Sequence, residues 1–223
     1  DEKFSLKDAS KKIRDIVDEF LISHGVDPKI PPVPIFSEKF KLKVKANKSP
    51  RAQAEELKNA IAQHISNHME EDPELYERFS EKLEKLLQEY KDNWELLARE
   101  LELLREEMKQ GREGEENFGF DREAEMPFLG LLKNEVYGKK NLSDLSQDQI
   151  DLLVQTTRDI LERIQQDVKL VDFWNNANAQ KRLKGYISSH LLTVFKNNPA
   201  FFGKQIALGQ KITELAFHIY GKN

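Results

Sequence analysis

Residues 72–108 read DPELYERFSEKLEKLLQEYKDNWELLARELELLREEM. Phe79, Leu83, Leu86, Tyr90, Trp94, Leu97, Leu101, Leu104 and Met108 recur in steps of three and four. That is the period of one apolar stripe on an α-helix. Asp72 with Pro73 supplies a start signal, because proline at the first helical position lacks only an N–H that has no partner there anyway. The unbroken stripe predicts one continuous helix about 50 Å long, with Asp92-Asn93 as the one place a bend could fall.

The same signals recur on both sides. Ser49 followed by Pro50 caps a preceding helix carrying Leu57, Ile61, Ile65 and Met69. Phe128, Leu131, Leu132 and Val136 mark a short helix stopped by Gly138. Ser146 with Gln149 is a capping box. It opens a helix with Ile150, Leu153, Val154, Ile160, Leu161, Ile164, Val168 and Val171. Asn176 or Asn178 starts the next, with Leu183, Ile187, Leu191 and Phe195. Asn198-Pro199 starts a last one with Phe202, Ile206, Ile212, Leu215 and Ile219. At the other end, Ser5 and Asp8 cap a helix with Leu6, Ile13, Ile16, Val17, Phe20 and Leu21, ended by Gly25.

Two stretches read differently. Residues 28–34 hold four prolines in seven positions, which predicts an extended arm. Then KFKLKVK, Lys39 to Lys45, alternates strictly and predicts a short strand or surface-laid extended segment. Residues 110–125 hold three glycines and many charges and predict a mobile loop at about 110–126. The expected architecture is all-α: an elongated domain of about seven helices with one long helix. Its parts are an N-terminal helix over 1–25, a Pro-rich extended arm with a basic strip over 26–48, and a helical domain over 49–223.

Composition sets the outer bounds. The 223 residues are 39% hydrophobic and 33% charged, with few glycines and prolines, a globular, helix-rich profile. A mean hydropathy of −0.67 confines the apolar residues to stripes. The net charge of −4 argues against wide wrapping of DNA. With no cysteine, disulfides and thiolate metal sites are excluded, which suits a cytoplasmic location. No apolar run approaches the roughly 20 residues a membrane span needs. The chain begins DEKFSLKD, with neither Met nor a signal-peptide core, and reads as a piece of something longer.

Candidate chemistry is sparse. His64 and His68 share one helical face, but the pair reads HISNH, without the glutamate of a metalloprotease helix and without a suggested third ligand. Glu56-Leu57-Lys58 has the spacing of half a nuclease motif, yet lies mid-helix where solvated charges are the simpler reading. Gly138-Lys139-Lys140 lacks the upstream glycine of a phosphate loop. No catalytic, cofactor-binding or metal-binding residue is therefore assigned. Two basic clusters are candidates for contact with DNA or a partner. Lys39, Lys41, Lys43, Lys45, Lys48 and Arg51 form the first; as a strand, the alternation would put its lysines on one face. An edge segment kept from aggregating by lysines is the plainer reading. Lys181, Arg182 and Lys184 form the second, beside Phe173 and Trp174, which read as core rather than as a stacking platform.

The stretches SPRAQAEELKNAIAQHISNHMEEDPELYERFSEKLEKLLQEYKDNW (Ser49–Trp94) and VDFWNNANAQKRLK (Val171–Lys184), with DPKIPPV before them, carry a resemblance. The chain resembles the helical C-terminal region of the R (restriction and translocation) subunit of type I restriction enzymes over nearly its whole length. The resemblance implies that the parent is an ATP-dependent site-specific deoxyribonuclease using magnesium, with nuclease and motor domains upstream. It implies no cofactor and no catalysis in this piece, and a role in docking the motor onto a methyltransferase core of modification and specificity subunits. A DNA-contacting accessory domain and a freestanding helical scaffold or regulator are the alternatives; helicase motifs upstream of Asp1 would exclude the last.

Overall fold

The structure, a computed structural model, describes residues 34–221. The N-terminal helix expected over 1–25 and the proline-rich residues before Pro34 lie outside the described residues. Among those described there are eight α-helices and no strand, so the fold is all-α. The described residues divide into two compact units. The first is built on residues 34–69 and 75–113, the second on 70–74 and 114–221.

The first unit opens with α1 (Glu38–Ala46), where the alternating KFKLKVK had predicted extended chain. Local chemistry decides the outcome. The Ser37 hydroxyl accepts from the Phe40 N–H at 3.2 Å, which caps the helix. Glu38 sits in the first turn and Lys43 and Lys45 in the last, matching the helix dipole. Phe40 and Val44, four apart, are buried, while Leu42 is 65% exposed. An alternation of seven residues fits a strand, but the same residues also place one i, i+4 apolar pair on a helix.

α2 (Pro50–His68) starts as expected: Ser49 accepts from Ala52 N and Pro50 is its first residue. Asn47 Nδ2 donates to Glu56 Oε2 at 2.7 Å and Gln53 Nε2 to the Asn47 carbonyl at 2.5 Å, which fixes the α1–α2 corner. The long helix expected from Pro73 to Met108 is instead two, α3 (Pro73–Glu89) and α4 (Trp94–Gln110). Tyr90–Asn93 is a turn, and the Asn93 side chain caps α4 by accepting from Leu96 N at 3.1 Å. Lys82 Nζ pairs with Glu107, which requires the chain to reverse. In a continuous helix these residues, 25 apart, would lie about 37 Å from each other. Reversal lets Phe79 and Leu83 of α3 join Leu57, Ile61 and Ile65 of α2 and Leu97, Leu101 and Leu104 of α4 in one buried cluster. The Arg105 side chain is 3% exposed. It donates to the Ile35 carbonyl at 3.0 Å and to both Glu102 oxygens at 2.9 Å, tying the chain ahead of α1 to α4.

The second unit has α5 (Met126–Tyr137), α6 (Gln147–Asp167), α7 (Ala177–Val194) and α8 (Gln205–Tyr220). Every residue of α5 from Met126 to Lys133 is buried, so this helix is hydrophobic all round and central. Gly138 ends it at φ 76° and bonds back to the Asn134 carbonyl. The Ser146–Gln149 capping box and the Asn176 cap on Ala179 N form as expected. Lys133 Nζ and Glu74 Oε1 make a buried ion pair at 2.8 Å.

Two expectations are corrected here, the place of Val171 and the start of the last helix. Val171 is 94% exposed, not on the α6 stripe, because α6 ends at Asp167 and Asp172 turns the chain at φ 56°. The last helix begins at Gln205 rather than at Pro199: Asn198 Oδ1 caps only a turn, accepting from Ala200 N at 3.1 Å. Residues 111–125 form a shaped loop that places Phe120 in the core, with Arg158 Nη2 donating to the Phe118 carbonyl at 2.7 Å.

The chain reversal is open to a direct check. The chain has no cysteine, so Lys82→Cys with Glu107→Cys can carry a single pair of spin labels. Their measured separation is expected to be less than half of the about 37 Å a continuous helix would impose. A distance at that full value would contradict the hairpin.

Candidate functional site

Helix formation redistributes the first basic cluster. Successive residues of an α-helix turn by about 100°. In α1, therefore, Lys39 and Lys43 fall on one flank and Lys41 and Lys45 on the other, with exposed Leu42 between them. The single lysine face that a strand would have offered is not formed. Lys43 Nζ is bound to Glu56 Oε1 at 2.7 Å, and Arg51 Nε to Glu55 Oε1 at 3.0 Å. Glu56 thus acts as a partner to Lys43 and Asn47. Lys39, Lys45 and Lys48 are exposed. In the second unit Lys181 and Arg182 are exposed near the start of α7, while Lys184 bonds Gln210 Oε1. Phe173 is core, and the half-buried Trp174 ring meets Phe173 and Phe217 edge-on at 4.8 and 5.3 Å, in line with a packing role.

His64 and His68 sit in an aromatic cluster of the first unit. Their ring centroids are 4.0 Å apart, with Phe36 at 4.9 Å and Tyr76 at 5.8 Å from His64. His68 Nδ1 donates to the His64 carbonyl at 2.8 Å, so this pair is spent on packing and backbone bonding. Burial, helped by the neighbouring His68, lowers the His64 pKa to about 4. Among the described residues no group of three His, Asp or Glu side chains could hold a metal ion.

Two features went unread in the sequence. Phe202 and Ile206, which the residue pattern assigned to an apolar stripe, are 81% and 63% exposed. The α8 stripe that does enter the core is Leu208, Ile212, Leu215 and Ala216. Ile206 precedes Leu208 by two residues, about 200° away around the helix, so the signal was present in the spacing. In the first unit, Leu87, Trp94 and Leu97 meet Ala54 and Lys58 of α2 in a groove of about 150 Å³. Lys91 and Glu55 complete its lining, and the Arg51 guanidinium lies 5.2 Å from the Trp94 ring. Only the reversal at 90–93 creates this groove, so a continuous helix could not have shown it.

These observations define an all-helical domain of amphipathic helices, with some charged side chains paired to one another and several large apolar ones left in solvent. No helix among the described residues is long and apolar enough to cross a membrane. The chain belongs to the family of C-terminal domains of type I restriction enzyme HindI endonuclease subunit-like proteins, whose family model matches residues 4–199. Comparison with curated proteins and with solved structures finds no match.

The depressed His64 pKa sets a pH dependence. The unfolded chain takes up a proton near pH 6.5 and the folded chain only near 4. Between those values the unfolded state binds more protons, so stability falls as pH drops through this window and is restored above it. Allowing for the partial exposure of the ring, the loss is about 1–2 kcal/mol. Thermal melts at pH 7 and pH 4.5 are expected to show a smaller acid loss for His64→Gln than for the parent chain. Identical losses would contradict the assignment.

Proposed function

We propose that this domain docks the restriction subunit of a type I restriction enzyme onto its methyltransferase core, the modification and specificity subunits, and is itself non-catalytic. In this reading ATP-driven translocation and magnesium-dependent cleavage belong to motor and nuclease domains upstream in the same chain, working on foreign DNA in the cytoplasm. The observation that carries the reading is the exposure of Phe202 and Ile206, at 81% and 63%, four residues apart in the second unit. Side chains of this size left in solvent together are a mark of a protein-binding surface. Leu170 and Val171, 54% and 94% exposed, add to the apolar surface of the same unit. The first basic cluster, by contrast, spends Lys43 and Arg51 on neighbouring glutamates, and the chain carries net charge −4. Both weaken the case for phosphate contact.

Two titrations at near-physiological salt test the proposal, one against the cognate core complex and one against nonspecific duplex DNA. Submicromolar binding to the core and weaker, steeply salt-dependent binding to the duplex are expected. Phe202→Glu with Ile206→Glu should weaken core binding at least tenfold, about 1.4 kcal/mol or more, with helical content unchanged. Submicromolar duplex binding without core binding would overturn docking in favour of the DNA-contacting reading. Its loss in Lys41→Glu, Lys43→Glu would then place the contact on α1.

A further inference from the structure

The groove between α2 and the α3–α4 turn combines features that no fold requirement explains. Its floor is apolar: Ala54 and Leu97 are buried and Leu87 is half-buried. One wall is the Trp94 indole, left 37% exposed at the first position of α4. A tryptophan there contributes little to the core, and its exposure costs apolar surface that a smaller residue would not present. On the rim stand Lys58 and Lys91. Neither ammonium has a carboxylate within 4.0 Å among the described residues, although Lys43, Arg51, Lys82 and Arg105 of the same unit all do. The opening is therefore an apolar slot of about 150 Å³ edged by two uncompensated positive charges.

We propose that this groove is a docking pocket for an acidic peptide segment of a protein partner, with one leucine or phenylalanine side chain inserted against Trp94 and flanking carboxylates bound by Lys58 and Lys91. The slot suits one such side chain, and an aromatic wall with a charged rim is the common layout of an anchor pocket in a protein interface. Charge complementarity names the partner. The two free ammonium groups ask for isolated carboxylates. Set at the edge of one apolar slot, the two groups suit a single apolar side chain with carboxylates beside it, and the Glu55 carboxylate in the lining is held by Arg51 at 3.0 Å. In naming a protein partner the inference rests on the docking reading above and specifies one of its contacts.

The test uses the whole chain carrying Trp174→Phe, which leaves Trp94 as the only tryptophan. The probe is a blocked hexapeptide, a central Leu-Phe pair with two glutamates on each side. A change in Trp94 emission that saturates with the acidic peptide is expected, and none with the same peptide carrying lysines for glutamates. Lys58→Glu with Lys91→Glu should weaken the peptide at least tenfold while the thermal midpoint stays put, since both ammonium groups are free. Absence of saturable binding, or equal binding by the double variant, would overturn the proposal. So would tighter binding of a 12-mer of single-stranded oligodeoxythymidylate that the double variant loses, which would assign the groove to nucleic acid. A third arm separates this claim from docking itself. Core binding equal in parent and double variant would remove the groove from the interface and leave docking standing. Core binding absent in both would remove docking, and the peptide arm would then decide the groove alone.

Discussion

The apolar seam between α2 and α4 is the constraint on which the rest of the first unit depends. Leu57, Ile61 and Ile65 on one helix and Leu97, Leu101 and Leu104 on the other are at most 4% exposed, and three of them are fully buried. Truncating one such side chain to alanine costs about 2–5 kcal/mol. For α4 to reach α2, the chain must turn back after Glu89. The turn sets the Asn93 cap, brings Lys82 beside Glu107 and leaves Trp94 at the mouth of a groove. α4 in turn presents Arg105 to the Ile35 carbonyl. Packing of one helix pair thus fixes a corner, an ion pair, a pocket and the path of the chain leading into α1.

Much of this was legible in the sequence because capping chemistry is local. Ser49-Pro50, Ser146 with Gln149, Asn176 and Gly138 each satisfy or replace backbone groups within four residues, so reading them needs no distant contact. The α3–α4 break was not legible from apolar spacing. Both helices carry the same stripe, and the four-residue turn Tyr90–Asn93 happens to keep their phase. The cue that mattered was Asn93, a cap residue inside an apparently continuous pattern. KFKLKVK failed for a related reason: a period of two and an i, i+4 pair coexist in seven residues, and the Ser37 cap settles the choice. Phe202 and Ile206 were misplaced because Pro199 suggested too early a start for α8.

The candidate contact residues fared differently again. Which lysines are free is a tertiary property. Lys43 and Arg51 look equivalent to Lys58 and Lys91 in the sequence, but the first two end up paired with Glu56 and Glu55 and the last two with no carboxylate within 4.0 Å among the described residues. Lysines outside the basic run, on α2 and in the α3–α4 turn, thus also keep charge that no neighbouring carboxylate takes up within 4.0 Å. Family membership and two kinds of exposed surface, apolar side chains in the second unit and a charged-rim groove in the first, are what the proposed docking role rests on.

Hydrogen–deuterium exchange of the chain, alone and with an equimolar methyltransferase core, tests that claim most directly. Docking predicts slower exchange in the 195–210 region and around 54–58 and 87–97 when the core is added, and no change with nonspecific duplex DNA. Unchanged exchange with the core, together with protection by duplex centred on 39–51, would contradict it.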